Sequence, residues 1–238
     1  MRRAVAFLTV LGGAAPPAAG TVLWFPLVGA LVGVAVGGVW VGADRVWPTA
    51  AAAAVTLAAD AILTGGLHLD GLADTGDGLF PPLPRERRLA VMADPRIGAV
   101  GAIALGVVLL TRFAALAAGP AGLWVVVSLW CGSRSAVAVA LLGGRYARAD
   151  GLASGFRPIT GSRGRVAGVA AAGLVLSLGT AVVDRPGHGM AALAAEAAVI
   201  LAVTMLANRR LGGYTGDVLG AQIVLGETAG LLVWAAQW

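Results

Sequence analysis

Seven apolar stretches, at about 22–43, 49–65, 100–118, 121–143, 166–183, 189–207 and 222–237, dominate this chain. Each approaches the roughly 20 residues that a helix needs to cross a hydrocarbon layer. A backbone in lipid must satisfy its own hydrogen bonds, and a helix does so within one segment. The chain therefore reads as all-α: a polytopic integral membrane helical bundle of about seven transmembrane helices, held in the lipid bilayer. Of its 238 residues 58% are hydrophobic and only 12% charged, where a soluble domain carries about 25% charged residues. Residues 1–238 are accordingly one membrane domain.

The 17 basic residues are all Arg. A pI of about 10.9 raises the prospect of nucleic-acid binding, but inward-facing loops of membrane proteins carry the same excess, and no nucleic acid is expected. With the N-terminus inside, Arg45 and Arg185 fall outside, Arg112 and Arg134 fall within spans, and every other Arg falls inside. This puts the connections 66–99, 144–165 and 208–221 on the cytoplasmic face of the inner membrane, with any active site there. Trp234 and Trp238 are placed to anchor the last span at the outer interface. The single cysteine, Cys131, excludes an internal disulfide and a cysteine-based zinc site. Arg2-Arg3 and a short apolar run fit a signal peptide or a short amphipathic or re-entrant segment. Pro16-Pro17, followed at once by apolar sequence, favours the second.

The acids are the chemically informative residues. Within Leu67-His-Leu-Asp-Gly-Leu-Ala-Asp-Thr-Gly-Asp-Gly78, Asp70, Asp74 and Asp77 stand at i, i+4 and i+7. On a helix they share roughly 60° of arc. Crowded carboxylates repel unless a cation sits among them, and Mg²⁺ suits a partly open oxygen site completed by substrate phosphates. Gly71, Gly76 and Gly78 would let a ligand approach the backbone. The same acids and glycines also fit a solvated helix end with turns. His68 is a candidate base or ligand.

Two further inner loops echo this chemistry. Gly144-Arg-Tyr-Ala-Arg-Ala-Asp-Gly-Leu152 offers the guanidinium forks that bind phosphate bidentately, although any inner loop needs Arg. Leu211-Gly-Gly-Tyr-Thr-Gly-Asp-Val-Leu-Gly220 flanks a hydroxyl and an acid with glycines, as expected where a polyphosphate lies against backbone. It is neither a Walker A loop nor a dinucleotide fingerprint. Asp60, Arg112 and Arg134 lie within spans, at a cost of about 3 kcal/mol each on insertion scales. Asp60 and Arg112 are expected to pair, and Arg134 to reach the inner site.

Taken together these motifs resemble the cobalamin synthase family, the adenosylcobinamide-GDP ribazoletransferases of vitamin B12 assembly. The likeness is carried by Phe25-Pro-Leu-Val-Gly29, Thr64 to Gly78, Asp94-Pro-Arg-Ile-Gly98, Ser133-Arg134, Arg145-Tyr-Ala-Arg148, Leu211 to Gly220 and Glu227, in the family's order. Two departures are a short link between Thr9 and Phe25, and Pro95 where the family often has Ser. The resemblance implies a Mg²⁺-dependent transferase joining adenosylcobinamide-GDP to α-ribazole or its 5′-phosphate, with release of GMP. It implies Asp70, Asp74, Asp77, Asp94 and Asp217 toward metal, with Asp74 or His68 taking the hydroxyl proton. Arg96, Arg134, Arg145, Arg148 and Thr215 would bind phosphate. So bulky a substrate suggests self-association as a homo-oligomer or a partner.

Two other classes compete. A CDP-alcohol phosphotransferase shares Asp70-Gly71-Leu72-Ala73, but has Arg where Asp74 stands and a later pair of spaced aspartates that is absent. A transporter would show repeated halves and broken helices at mid-membrane, and neither is visible.

Overall fold

A computed structural model of the chain describes residues 1–13, 15, 18–148, 156 and 163–237. Ten α-helices are seen among these residues: α1 (Arg2–Leu8), α2 (Phe25–Asp44), α3 (Thr49–Thr64), α4 (Leu67–Leu79), α5 (Arg85–Val91), α6 (Ala99–Ala118), α7 (Leu123–Gly143), α8 (Arg163–Asp184), α9 (Pro186–Leu211) and α10 (Gly216–Trp234). No strand occurs among the described residues. Helices α2, α6, α7, α8, α9 and α10 are each long and apolar enough to cross a membrane, and α3 with α4 counts as one further, bent element. The spans read from hydropathy thus match the helices closely. The clearest difference is α10, which starts at Gly216 and so carries Asp217 on its first turn.

Helices α7 and α10 are the most enclosed, and the others wrap them. The α2–α7 contact is close because Gly29, Gly33 and Gly37 meet it at four-residue spacing. A Cβ on Gly29 would lie 2.5 Å from the Trp130 carbonyl oxygen, and one on Gly33 2.8 Å from Val127 Cα. Small residues at this spacing let helices approach where lipid supplies no hydrophobic drive.

Between α3 and α4 the chain turns by 89°. Gly65 and Gly66 make that turn with φ of 63° and 69°, a left-handed conformation that a Cβ disfavours. Helix α4, too short to cross a membrane, therefore runs across one end of the bundle against α10 and α6. Its glycines serve this packing rather than the ligand approach or turns read from sequence. A Cβ on Gly71 would sit 2.8 Å from the Asp217 carbonyl oxygen, and one on Gly76 3.3 Å from Gly101 Cα. Arg88, buried on α5, donates to the carbonyls of Gly78 at 2.7 Å and Leu79 at 2.8 Å, closing the C-terminus of α4.

Asp60, Arg112, Arg134 and Glu227 form one network inside the bundle. Arg112 bonds Asp60 at 3.1 Å and also pairs with Glu227, while Arg134 pairs with Glu227 and bonds Ser133. Trp130 Nε1 donates to Asp60 at 3.1 Å. The expected Asp60–Arg112 pair is present, enlarged by an acid from α10. At the opposite end, Trp234 does not face an interface: it is buried, with Nε1 donating to the Pro120 carbonyl at 3.0 Å. Trp238 and the second loop from residue 149 to 155 lie outside the described residues.

Candidate active site

The end of the bundle crossed by α4 holds a cleft enclosing about 780 Å³ of space, part of it open solvent. Asp70, Arg148, Gly216 and Asp217 give it a polar part, with the imidazole of His68 also in the lining. The first turns of α4 and α10 both contribute to it, and free amides at helix N-termini favour anionic ligands. The opposite wall is apolar, with Phe7, Leu8, Phe25, Val137, Leu219 and Ile223. Phe7 and Leu8 belong to α1, so the N-terminal segment forms a short helix that helps to build the site. Phe7 stacks on Phe25 with centroids 5.8 Å apart, and Phe156 meets both edge-on.

Two loops far apart in sequence set the Arg148–Asp217 geometry. The Tyr214 N–H donates to the Arg145 carbonyl at 2.9 Å, and the Ala147 N–H to the Tyr214 carbonyl at 2.8 Å. Arg85 pins both strands of this junction, donating to the carbonyls of Leu211 at 2.7 Å and Ala147 at 2.9 Å. Arg148 then reaches Asp217 at 2.9 Å. Thr215 is fully buried and its Oγ1 accepts from the Val218 N–H at 3.2 Å. It is the N-cap of α10, a role its Thr-Gly-Asp context allows; the sequence reading had placed it on phosphate.

Asp70 and Asp217 line the cleft, and Asp74 lies one helical turn beyond Asp70. Burial first, then repulsion from Asp217 and Asp70, pushes the Asp74 carboxyl up to about 7, with Arg148 opposing. Among the described residues these three carboxylates thus share one nearby guanidinium, a cluster short of positive charge. Among the described residues no three His, Cys, Asp or Glu side chains converge on a single ion position. A Mg²⁺ site needs only one or two carboxylates once phosphates and water complete the shell, so Asp70 and Asp217 fit that donor set.

Of the remaining sequence candidates, only His68 lines the cleft. Asp77 is buried and both its oxygens are engaged by the start of α6, from the Gly98 N–H at 2.7 Å and the Gly101 N–H at 2.8 Å. It fastens α4 to α6. Asp94 and Arg96 form an exposed fork with each other, at 2.9 and 2.7 Å, which draws the Asp94 carboxyl down to about 2. Arg134 is 1% exposed and engaged by Glu227, and it is not part of the cleft lining. Arg145 is exposed, and its backbone rather than its side chain orders the junction. His68 is buried in the cleft wall, and its Nε2 has no hydrogen-bond partner among the described residues. Sequence reasoning missed Phe7, Leu8, Val137 and Ile223; Phe25 and Leu219 were marked only as members of their motifs.

Comparison with known proteins is specific. The family model for cobalamin-5-phosphate synthase matches residues 1–235. An adenosylcobinamide-GDP ribazoletransferase of Citrobacter koseri is 41% identical over 220 residues, covering 89% of this chain and 85% of its own. Those of Escherichia coli and Shigella boydii are 38% identical over 216 residues, with the same coverage. No solved structure matches. A match across almost the whole length, on a helical membrane bundle carrying every motif in order, places this chain in the cobalamin-5-phosphate synthase family.

Proposed function

We propose that this protein is an adenosylcobinamide-GDP ribazoletransferase that completes the nucleotide loop of adenosylcobalamin, working at the cytoplasmic face of the inner membrane. The observation that carries the reading is the charge-deficient cluster of Asp70, Asp74 and Asp217 beside Arg148, set between two helix N-termini. The Arg distribution supports the orientation.

In the proposed reaction, a ribose hydroxyl of α-ribazole, or of its 5′-phosphate, attacks the corrinoid-side phosphorus of adenosylcobinamide-GDP. A new P–O bond forms, the P–O bond to the GMP phosphate breaks, and GMP leaves. Asp70 and Asp217 are the residues that would hold Mg²⁺, which supplies positive charge to the pyrophosphate when bound. Arg148 and the amides at the starts of α4 and α10 orient the phosphates and stabilise charge on the departing GMP. Asp74 takes the hydroxyl proton, since a carboxyl tuned near 7 is matched to proton transfer at neutral pH. The apolar wall excludes water that would otherwise compete as the nucleophile.

The test is to reconstitute the full chain in nanodiscs with adenosylcobinamide-GDP, α-ribazole and Mg²⁺, and to follow GMP and cobalamin. Stoichiometric release of both is expected. Folded protein that forms neither would defeat the assignment.

A further inference from the structure

The cleft's apolar wall, beyond excluding water, makes no contact with phosphate in this reading, and His68, whose Nε2 has no partner among the described residues, has no role in it. Resting on the transferase reading, we propose that this half of the cleft is the subsite for the flat base of the incoming nucleoside, with His68 Nε2–H donating to the one free ring nitrogen of a benzimidazole. His68 is thereby a specificity-determining residue, and Phe7, Phe25, Leu219 and Ile223 form the surface against which the ring lies.

The argument is one of hydrogen-bond supply. Buried polar groups need partners, and each one left without costs about 1–3 kcal/mol. On the apolar side of the cleft the wall offers Phe7, Leu8, Phe25, Leu67, Val137, Leu219, Ile223 and the buried, already engaged Tyr146, together with one buried imidazole nitrogen that has no hydrogen-bond partner among the described residues. The nucleotide-linked corrinoid brings a guanine, which carries several donors and acceptors around its rim. Placed here, most of them would go unsatisfied. A benzimidazole joined to ribose through one ring nitrogen presents just one acceptor, its second nitrogen, and an otherwise hydrocarbon edge. Supply and demand then match at a single bond. The polarity of the cleft fits as well: His68 and Asp70 lie two residues apart on α4 and both line it. A nucleoside seated with its base on the apolar wall therefore directs its sugar toward Asp70 and Asp217. The aromatic cluster of Phe7, Phe25 and Phe156 keeps that wall rigid, so little order is lost on binding.

The experiment uses the full chain in nanodiscs with two readouts. One is equilibrium dialysis of α-ribazole without corrinoid, and the other is steady-state GMP release with each substrate varied. His68→Leu removes the donor but keeps an apolar filling. It is expected to weaken α-ribazole binding and raise its KM about tenfold, the worth of one hydrogen bond, with the KM for adenosylcobinamide-GDP unchanged. His68→Gln, which returns a donor, is expected to recover most of the loss. Leu67→Trp sits at a half-exposed position that lines the cleft, so folding is spared while the bulk obstructs the base. It is expected to raise the same KM at least as much. A purine ribonucleoside is expected to bind wild type more weakly than α-ribazole and to be indifferent to His68→Leu.

Unchanged α-ribazole affinity in both His68→Leu and Leu67→Trp, in protein that releases GMP, overturns the subsite and leaves the transferase reading standing. So does a rise confined to the KM for adenosylcobinamide-GDP. Wild type that binds α-ribazole through His68 yet forms no GMP defeats the transferase reading and upholds the subsite.

Discussion

Two clusters of charge in this molecule are built from the same residue types and differ in how they are balanced. Inside the bundle, Asp60 and Glu227 face Arg112 and Arg134, with Trp130 and Ser133 supplying further bonds. At the open end, Asp70, Asp74 and Asp217 share Arg148. The first cluster pairs its acids with its arginines inside the bundle, so its contribution is to hold four helices together. The second, among the described residues, is short of cations, reaches solvent, and raises Asp74 to about 7. A cluster left incomplete by its own protein is suited to a cation and a polyphosphate; a completed one is not. Residue type alone does not separate scaffold from site, whereas charge balance and access do.

The largest expected effect breaks the paired cluster. Glu227→Gln leaves Arg112 and Arg134 without their shared counter-charge, and breaking a buried pair costs about 3–5 kcal/mol. Unfolding in detergent titrations should shift accordingly, and activity should fall with the folded fraction. A Glu227→Gln protein of normal stability and low activity would move this network into the chemistry.

Next is the open cluster. Asp74→Asn should lower GMP release at least about 100-fold, in the range of general base loss, while the melting temperature stays the same or rises as repulsion is relieved. The pH dependence follows from the same carboxyl. Below about 7 Asp74 is protonated and unable to accept a proton, so kcat/KM should rise with pH through that value. Added Mg²⁺, by offsetting Asp217 and Asp70, should shift this limb to lower pH. A limb that stays fixed at all Mg²⁺ concentrations would separate the cation from these acids.

How far the sequence foretold this contrast depends on the range of the interaction. The spans and α4 were legible because hydropathy runs and i, i+4, i+7 spacing are local signals. So was the Asp60–Arg112 pair, since two opposite charges within spans must find each other. Asp77 shares its spacing with Asp70 and Asp74, yet it serves α6, whose amides come 21 and 24 residues later; nothing local marks that turn. The Thr215 cap was legible as a hydroxyl ahead of a helix, but the start of α10 lay hidden behind a later hydropathy boundary. Gly71, Gly76 and Gly78 look the same whether a ligand or a neighbouring helix approaches them. Only the crossing of α4 over α10 and α6 decides. The apolar wall was the least visible, because Phe7 and Ile223 meet only in three dimensions.

Asp77→Ala tests the boundary between the two kinds of cluster. Loss of the α6 cap should cost about 1–2 kcal/mol, with activity restored by lowering the temperature if its role is only to fasten α4. Loss of Mg²⁺ dependence at unchanged stability would instead return Asp77 to the metal set.

The smallest effect is expected at the Asp94–Arg96 fork. This pair is balanced, as the buried network is, yet fully open, as the cleft is not. Bonds from Arg96 hold the Asp94 carboxyl at about 2, so the pair persists across any working pH, and water screens most of its worth. Asp94→Asn should leave the melting temperature unchanged, a result that sets solvent access beside charge balance as the second requirement for a cluster to matter to stability. GMP release by the same variant then sharpens the comparison. Unchanged turnover keeps the fork a surface pair. A fall in turnover at constant melting temperature would bring Arg96 to the substrate phosphates and extend the open cluster beyond the cleft.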